Sequence, residues 1–306
     1  MSARQWRTSA IIGTAIVLSP GQASPASPNA RVFVPTSEWQ FASNAESCWA
    51  SREFADGDQR MQFHVQAFSP EPQYKLLLVG KALPNRSGGL LEFEMSFNPD
   101  RPREAAGILA SSNGEPLLTL RSGLETTAEI EARRAAVEAG QNPAEDLSPN
   151  EAREAEVDEL ELAFSRGRPV ALQLGSMKEP AARLRECAWQ LVGKWGFDQA
   201  AEKDLSRRPV PIAIGEWLAP GTFPANYWRA SLSALVHLRL NVDAQGKAAD
   251  CVIQAPKEDS SAEVIACREI MKTARFEPAL DRDGNPVPSY FTTSVFFVMS
   301  RRNGNT

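Results

Sequence analysis

Hydrophobic and polar positions alternate in the first part of the chain and recur at helical spacing later. Met61, Phe63, Val65 and Ala67 alternate with Gln62, His64 and Gln66, the period-two pattern of a strand with one buried face. Leu76-Leu77-Leu78-Val79, Leu90–Phe97 and Leu117–Leu120 predict further strands, with Asn85-Arg86-Ser87-Gly88-Gly89 as a turn between the first two. Residues 31–121 therefore read as mostly strand. Thr126 with Glu129, and Ser148-Pro149-Asn150-Glu151, are helix-start signals: a side-chain oxygen for the free amides and a carboxylate three residues on. Gly140 can end the first of these helices. Pro169–Leu174 resumes as a strand. Ser176-Met177-Lys178-Glu179 then opens a helix on which Leu184, Cys187, Leu191, Val192 and Trp195 share a buried face, with Gly196 at its end.

Arg207-Arg208-Pro209-Val210-Pro211 reads as an extended interdomain linker, because its prolines restrict the backbone. Beyond it, Phe223–Ser231 is a short helical stretch. Ala234, Val236, Leu238, Leu240 and Val242 alternate with Leu235, His237, Arg239 and Asn241. Asp243-Ala244-Gln245-Gly246 is a turn, and Ala249–Gln254 returns as a second strand. Ser260 or Ser261 caps a helix carrying Ile265, Ile270, Met271 and Ala274, which Arg275-Phe276-Glu277-Pro278-Ala279 ends. Asp283-Gly284 makes a turn before a last strand at Tyr290–Met299. The order helix, hairpin, helix, strand predicts a small layer with one sheet face covered. The expected fold class is α+β: a β-rich amino-terminal domain with added helices, then an αββαβ domain with an antiparallel sheet.

The chain has 306 residues, 42% hydrophobic and 23% charged, enough for about two domains with cores of their own. A formal net charge of −5 excludes a broad electrostatic grip on nucleic acid. Between Glu125 and Glu161 the sequence is acidic, and its carboxylates, Glu159 and Glu161 included, read as the solvated face of a helical segment. Arg4 and Arg7, the apolar run Ala10–Leu18 and the small residues ending at Ala23 form the pattern of a cleavable secretory signal, residues 1–23. As a helix that run would span about 14 Å, against roughly 30 Å of bilayer hydrocarbon. A periplasmic location is expected, the alternative being an uncleaved anchor in the inner membrane. Export makes disulfides durable. Four Cys allow three pairings. The spacing favours Cys251–Cys267, whose short loop contributes on the order of 3 kcal/mol by loop-closure entropy, with Cys48–Cys187 as the remaining pair. Four buried thiols are the alternative.

Little in the sequence points to catalysis. It contains no HExxH, GxSxG, P-loop or GxGxxG motif. Two His and the four Cys provide neither a His-rich metal centre nor a multi-Cys zinc module, so neither metal nor cofactor is expected. His64 and His237 fall on the polar phase of their strands and read as solvated. Core packing is the expected role of Trp189 and Trp195, and Trp217 and Trp228 are expected to pack near the last strand.

The carboxyl-terminal residues resemble the carboxyl-terminal domain of TonB-family proteins. The likeness runs from Trp217 to about Met299. It rests on the order and spacing of Leu238–Gly246 (LRLNVDAQG), Arg275–Ala279 (RFEPA), Asp283–Val287 (DGNPV) and the closing strand. Phe223-Pro224 stands where the family commonly has Tyr-Pro, at the start of the first helix. The resemblance implies a TonB C-terminal-like domain over 217–301, after a linker at 206–216 and a β-rich domain at 31–205. It implies a non-enzymatic periplasmic protein that binds a peptide by strand addition, such as the TonB box of an outer-membrane receptor or a segment of another envelope protein. The expected binding edge is Tyr290, Phe291, Thr292, Thr293, Ser294, Val295, Phe296, Phe297 and Val298. The family's membrane anchor and long Pro-rich spacer have no counterpart here, so peptide binding is expected rather than force transmission. Two other readings are a structural or peptidoglycan-binding envelope module, with or without self-association, and an envelope glycan-acting enzyme built on a carboxylate pair such as Glu159 and Glu161.

Overall fold

The computed structural model describes residues 27–85, 89–139, 149–219, 222, 233–255 and 261–297. The expected signal segment, Phe223 and Pro224 with the short helix they open, Trp228 and Val298 lie outside the described residues.

The first unit is built from β1 (Arg31–Pro35), β2 (Gln40–Ser43), β3 (Cys48–Asp56), β4 (Gln59–Ala67), β5 (Gln73–Gly80), β6 (Gly89–Phe97), β7 (Arg103–Ser112), β8 (Glu115–Gly123), β9 (Glu159–Ala163) and β10 (Val170–Gln173). They form one sheet in the order β1-β10-β9-β6-β7-β8-β5-β4-β3-β2. β1 runs parallel to β10, with Phe33 opposite Leu172, and antiparallel to β3, with Pro35 opposite Phe54. That second pairing closes a barrel of nine strands among the described residues, and β2 continues along the same edge of β3. Alternation sets the barrel's two sides. Met61, Phe63 and Val65 of β4, Leu76 and Leu78 of β5, and Leu91, Phe93, Met95 and Phe97 of β6 belong to one buried cluster. Asn113-Gly114 joins β7 to β8 with both residues at positive φ, 51° and 82°, as the two-residue hairpin turn matching strand twist requires.

This closure overturns the α+β expectation. The chain is β-rich, 45% strand and 22% helix, and organised around a closed barrel. Alternation along a strand is the same in an open sheet and a closed wall. What decides between them here is the pairing of β1, five residues long, with two partners far apart in sequence. One barrel strand also replaces part of the expected acidic helix. Glu159-Leu160-Glu161-Leu162-Ala163 is β9, with Leu160 and Leu162 fully buried, because its period is two and not 3.6.

Among the described residues, four α-helices accompany the barrel. α1 (Thr127–Glu138) starts on the expected reciprocal cap, in which Thr126 N donates to Glu129 Oε2 at 2.7 Å and Glu129 N to Thr126 Oγ1 at 3.2 Å. α2 (Glu151–Glu156) is capped by Asn150, with Arg153 N donating to Asn150 Oδ1 at 3.0 Å, and Ser148 of the expected start signal lies outside the described residues. α3 (Lys178–Lys194) adds Leu184 and Leu191 to the barrel's apolar cluster. The short α4 (Gln199–Lys203) follows, capped by Asp198.

The remaining elements are β11 (Val210–Ile212), β12 (Ala234–Val242), β13 (Ala248–Ile253), α5 (Ser261–Thr273), β14 (Arg275–Glu277), β15 (Ala279–Leu280), β16 (Pro286–Val287) and β17 (Ser289–Phe297). β12 lies between β13 and β17, antiparallel to both. The segment read as a linker pairs with this unit, β11 lying against β14 and Arg207 bridging to Leu280. The motif around Gly246 has a tertiary reason. Gly246 sits at φ 75°, its carbonyl accepts from Phe276 N at 2.8 Å, and a Cβ there would come within 2.0 Å of the Phe276 oxygen.

The sheet is covered on both faces, where one covered face was expected. Val236, Leu238 and Leu240 pack with Ala262, Ala266 and Ile270 of α5 and with Trp217. His237 and Arg239, on the other phase, are each 4% exposed and lie against the barrel. His237 is therefore not solvated. His64 of β4 is half-buried.

Candidate functional site

The last strand has two unlike edges. Along one, it pairs with β12 from Ser289 opposite Val242 to Phe297 opposite Ala234. Along the other, no strand pairs with it among the described residues. The direction of its backbone groups follows from the far side of β12. The His237 carbonyl accepts from Gln254 N at 3.0 Å, so odd-numbered β12 residues turn their backbone groups toward β13 and even-numbered ones toward β17. Val236, Leu238 and Leu240 thus bond with Val295, Thr293 and Phe291. Tyr290, Thr292, Ser294 and Phe296 direct their amides and carbonyls to the open edge.

The side chains of Tyr290, Thr292 and Ser294 face the barrel, and with the odd residues of β12 they make a polar seam. Thr292 Oγ1 lies 3.1 Å from Glu71 Oε2 and 3.2 Å from Ser69 Oγ. Ser294 Oγ lies 2.8 Å from His237 Nδ1, and the imidazole stacks on Phe68 at 4.1 Å between centroids. Gln254 Nε2 donates to the Phe68 carbonyl at 2.8 Å. Arg239 pairs with Glu46 at 3.4 Å and lies 4.4 Å from the centroid of Trp195. Tyr290 is wedged between Trp195 and Phe197, each 5.4 Å away between ring centroids. Burial raises the Glu46 carboxyl above its ordinary range, a shift that the charge of Arg239 and its hydrogen bond only partly offset. Glu202, also 4% exposed, is raised by burial despite the 2.9 Å hydrogen bond from Ser289 Oγ and the charge of Arg208.

Two hollows border this strand. The first, about 20 Å³, is lined by Phe68, Lys75, Arg121, His237, Thr292 and Ser294 among others, and has room for roughly one water. It leaves no space for a substrate beside the Ser294–His237 pair. That contact lies within the carboxyl-terminal sheet, and it is the stack of His237 on Phe68 that ties this sheet to the barrel. The second is a cleft of about 600 Å³ at the Tyr290 end, between α3, α4 and the Pro70-Glu71 segment. Trp189 is half-buried there, not a full core residue. Trp217 is buried against Phe276 and Phe291, at 5.1 and 6.1 Å. Glu159 and Glu161 occupy the same phase of β9, opposite to its buried leucines, and line neither hollow.

The Cys pairs are Cys48–Cys187 and Cys251–Cys267, the arrangement the spacing favours. Bridges of this kind suit an exported protein. Among the described residues no helix is long and apolar enough to cross a membrane, and no group of three or more His, Cys, Asp or Glu is placed to hold a metal ion. No protein-family model and no curated protein matches the chain.

Of the expected site residues, the structure brings Tyr290 to Phe297 onto one strand, with Ser289 and Tyr290 closed in by α4 and by the Trp195-Gly196-Phe197 turn. Sequence reasoning missed Glu46, Glu202, Arg208 and Gln254, which carry no local signature. One signal was present: His237 and Arg239 alternate with a run apolar on the opposite phase, in a strand with few polar residues, as suits a strand buried on both faces.

Proposed function

We propose that this chain is an exported, non-enzymatic binding protein of the periplasm that takes an extended peptide by strand addition along the open edge of β17. The carrying observation is the contrast between the edges of that strand: one is paired along its whole length, the other meets no strand among the described residues. The TonB-like motif residues support an envelope peptide, of TonB-box type, as the occupant. Thr292, Ser294 and Phe296 offer about six backbone bonds at roughly 1 kcal/mol each. Ordering a flexible peptide costs about 2–5 kcal/mol, which leaves about 1–4 kcal/mol from the backbone bonds, so the complex is weak, about millimolar at its tightest.

Titration of the mature protein with TonB-box peptides tests this, with Phe296→Pro as the control. That proline removes an outward amide and leaves the β12 ladder intact, as edge positions tolerate. Thr293 is unsuitable for the purpose, because its amide points at Leu238. Saturable binding that weakens at least about tenfold in Phe296→Pro is expected. No binding at roughly tens of millimolar peptide, or binding indifferent to the proline, rejects the proposal.

A further inference from the structure

The seam shows which part of the barrel wall lies beside the open edge of β17. Arg239 of β12, and Gln254 just after β13, reach Glu46, ahead of β3. His237 of β12 stacks on Phe68, just after β4. Thr292 of β17 reaches Ser69 and Glu71, ahead of β5. From β13 to β17 the sheet thus steps across the wall from β3 toward β5, and the barrel strand next to β5 is β8. Lys75 of β5 and Arg121 of β8 line the small hollow together with Thr292 and Ser294. Both point outward, because Tyr74, Leu76, Leu118 and Leu120 fill the opposite phase inside the barrel. They stand directly opposite each other in the register, and like charges so placed disfavour each other. Arg121 is exposed and has neither a hydrogen bond nor an ion pair among the described residues. The carboxylates beside the hollow are engaged: Glu71 with the Thr292 hydroxyl at 3.1 Å, and Glu125 with Gln73 at 2.6 Å and Arg133 at 3.1 Å.

We infer that the peptide laid on β17 alternates acidic and apolar residues, its carboxylates turned to Arg121 and Lys75. The inference rests on the strand-addition reading and adds the chemistry of the occupant to it. A strand on the open edge lies over β5 and β8, so one of its two faces meets this cationic row. Its other face continues the layer of Phe291 and Val295, which are partly buried against the cluster under α5. Side chains of a strand alternate between faces, so acids on one phase leave the other phase for apolar residues. A slip by one residue would set the acids on the apolar layer and the apolar residues on the cations. The pattern therefore selects the register as well as the peptide. A peptide with Lys on the barrel-facing phase meets two like charges and is disfavoured.

The experiment uses the intact mature protein and three acetylated, amidated peptides of the pattern Val-Xaa-Val-Xaa-Val, with Glu, Gln or Lys as Xaa. Binding is read from the backbone amide resonances of Thr292 and Ser294, which point to the open edge. The Glu peptide should bind about fivefold more tightly than the Gln peptide, and the Lys peptide most weakly. Raising salt to about 0.5 M should shrink the ratio. Arg121→Glu, a change at an exposed position that sets a carboxylate opposite Lys75, should bring the Glu-to-Gln ratio to about one without loss of folding. Equal affinity of the Glu and Gln peptides, with both still weakened by Phe296→Pro, overturns the acidic reading and leaves strand addition standing. A preference for Glu that persists unchanged in Arg121→Glu puts the acid elsewhere and overturns it as well. If none of the three binds at roughly tens of millimolar, strand addition is rejected and the acidic reading with it.

Discussion

The barrel interior and the seam beneath the carboxyl-terminal sheet are both buried, yet they are built from opposite materials. The barrel's largest fully buried side chains are Phe33, Phe54, Phe63, Phe97, Met61 and a set of leucines. The seam buries His237, Arg239, Gln254, Glu202, Ser69 and Ser289. Apolar burial is non-directional: it holds any well-filled arrangement together at about 25 cal/mol per Å². Buried polar groups contribute little net stability but penalise every geometry that leaves them unmatched. Apolar packing thus makes the barrel stable, whereas the seam fixes which face of the sheet meets the barrel and at what register. The open edge of β17 is held in place by the seam.

The largest expected effect separates the two regions through their bridges. Cys48–Cys187 spans 139 residues and Cys251–Cys267 spans 16. Loop-closure entropy predicts losses of about 5 and 3 kcal/mol on replacing each pair by Ala. Urea denaturation should show the first loss in global unfolding and the second mainly in the carboxyl-terminal unit. Equal global losses would break the distinction between the regions.

A smaller effect sharpens it from the seam side. Arg239→Met leaves Glu46 partly buried without its partner and should cost about 3 kcal/mol. Adding Glu46→Gln should recover part of that loss, the signature of a coupled pair. Hydrogen exchange should show β12 and β17 losing protection before the barrel strands. A loss confined to the barrel would contradict the seam's role.

The smallest effects are pH slopes of opposite sign. Glu46 and Glu202 have folded-state values raised above the usual 4.5, mainly by burial. Their contribution is present at low pH and lost as pH rises through the folded values, so this term loosens the seam between acid and neutral pH. His64, on the barrel, is lowered from 6.5 by burial. Its contribution is present above 6.5 and lost as pH falls through the folded value. Glu202→Gln should flatten the seam's slope and His64→Gln the barrel's, each measured by exchange of local amides across pH 4–8.

Much of the site was legible in residues near one another in sequence. Alternation placed β4 and β12, runs of strand-forming residues placed β5, β6 and β17, and the turn at Asp243–Gly246 placed the hairpin. The reading failed where a local pattern serves two structures. Glu159–Ala163 was absorbed into an acidic helix because charge count outweighed its period. His237 was read as solvated because alternation distinguishes two faces of a strand without telling whether the second is covered. Glu202, Arg208 and Tyr290 come from three separate segments, and no spacing rule links them.

From the sequence by itself come a β-dominated amino-terminal half, the hairpin–helix–strand order of the carboxyl-terminal residues, and the pairing of cysteines that the spacing favours. These depend on periodicity, turn chemistry and chain separation, all local or countable. The closure of the barrel through β1, the burial of the seam and the cleft beside Tyr290 were decided only in the tertiary structure. They arise where distant segments meet, and the free energy of a polar atom there depends on partners that its own neighbours in sequence do not specify.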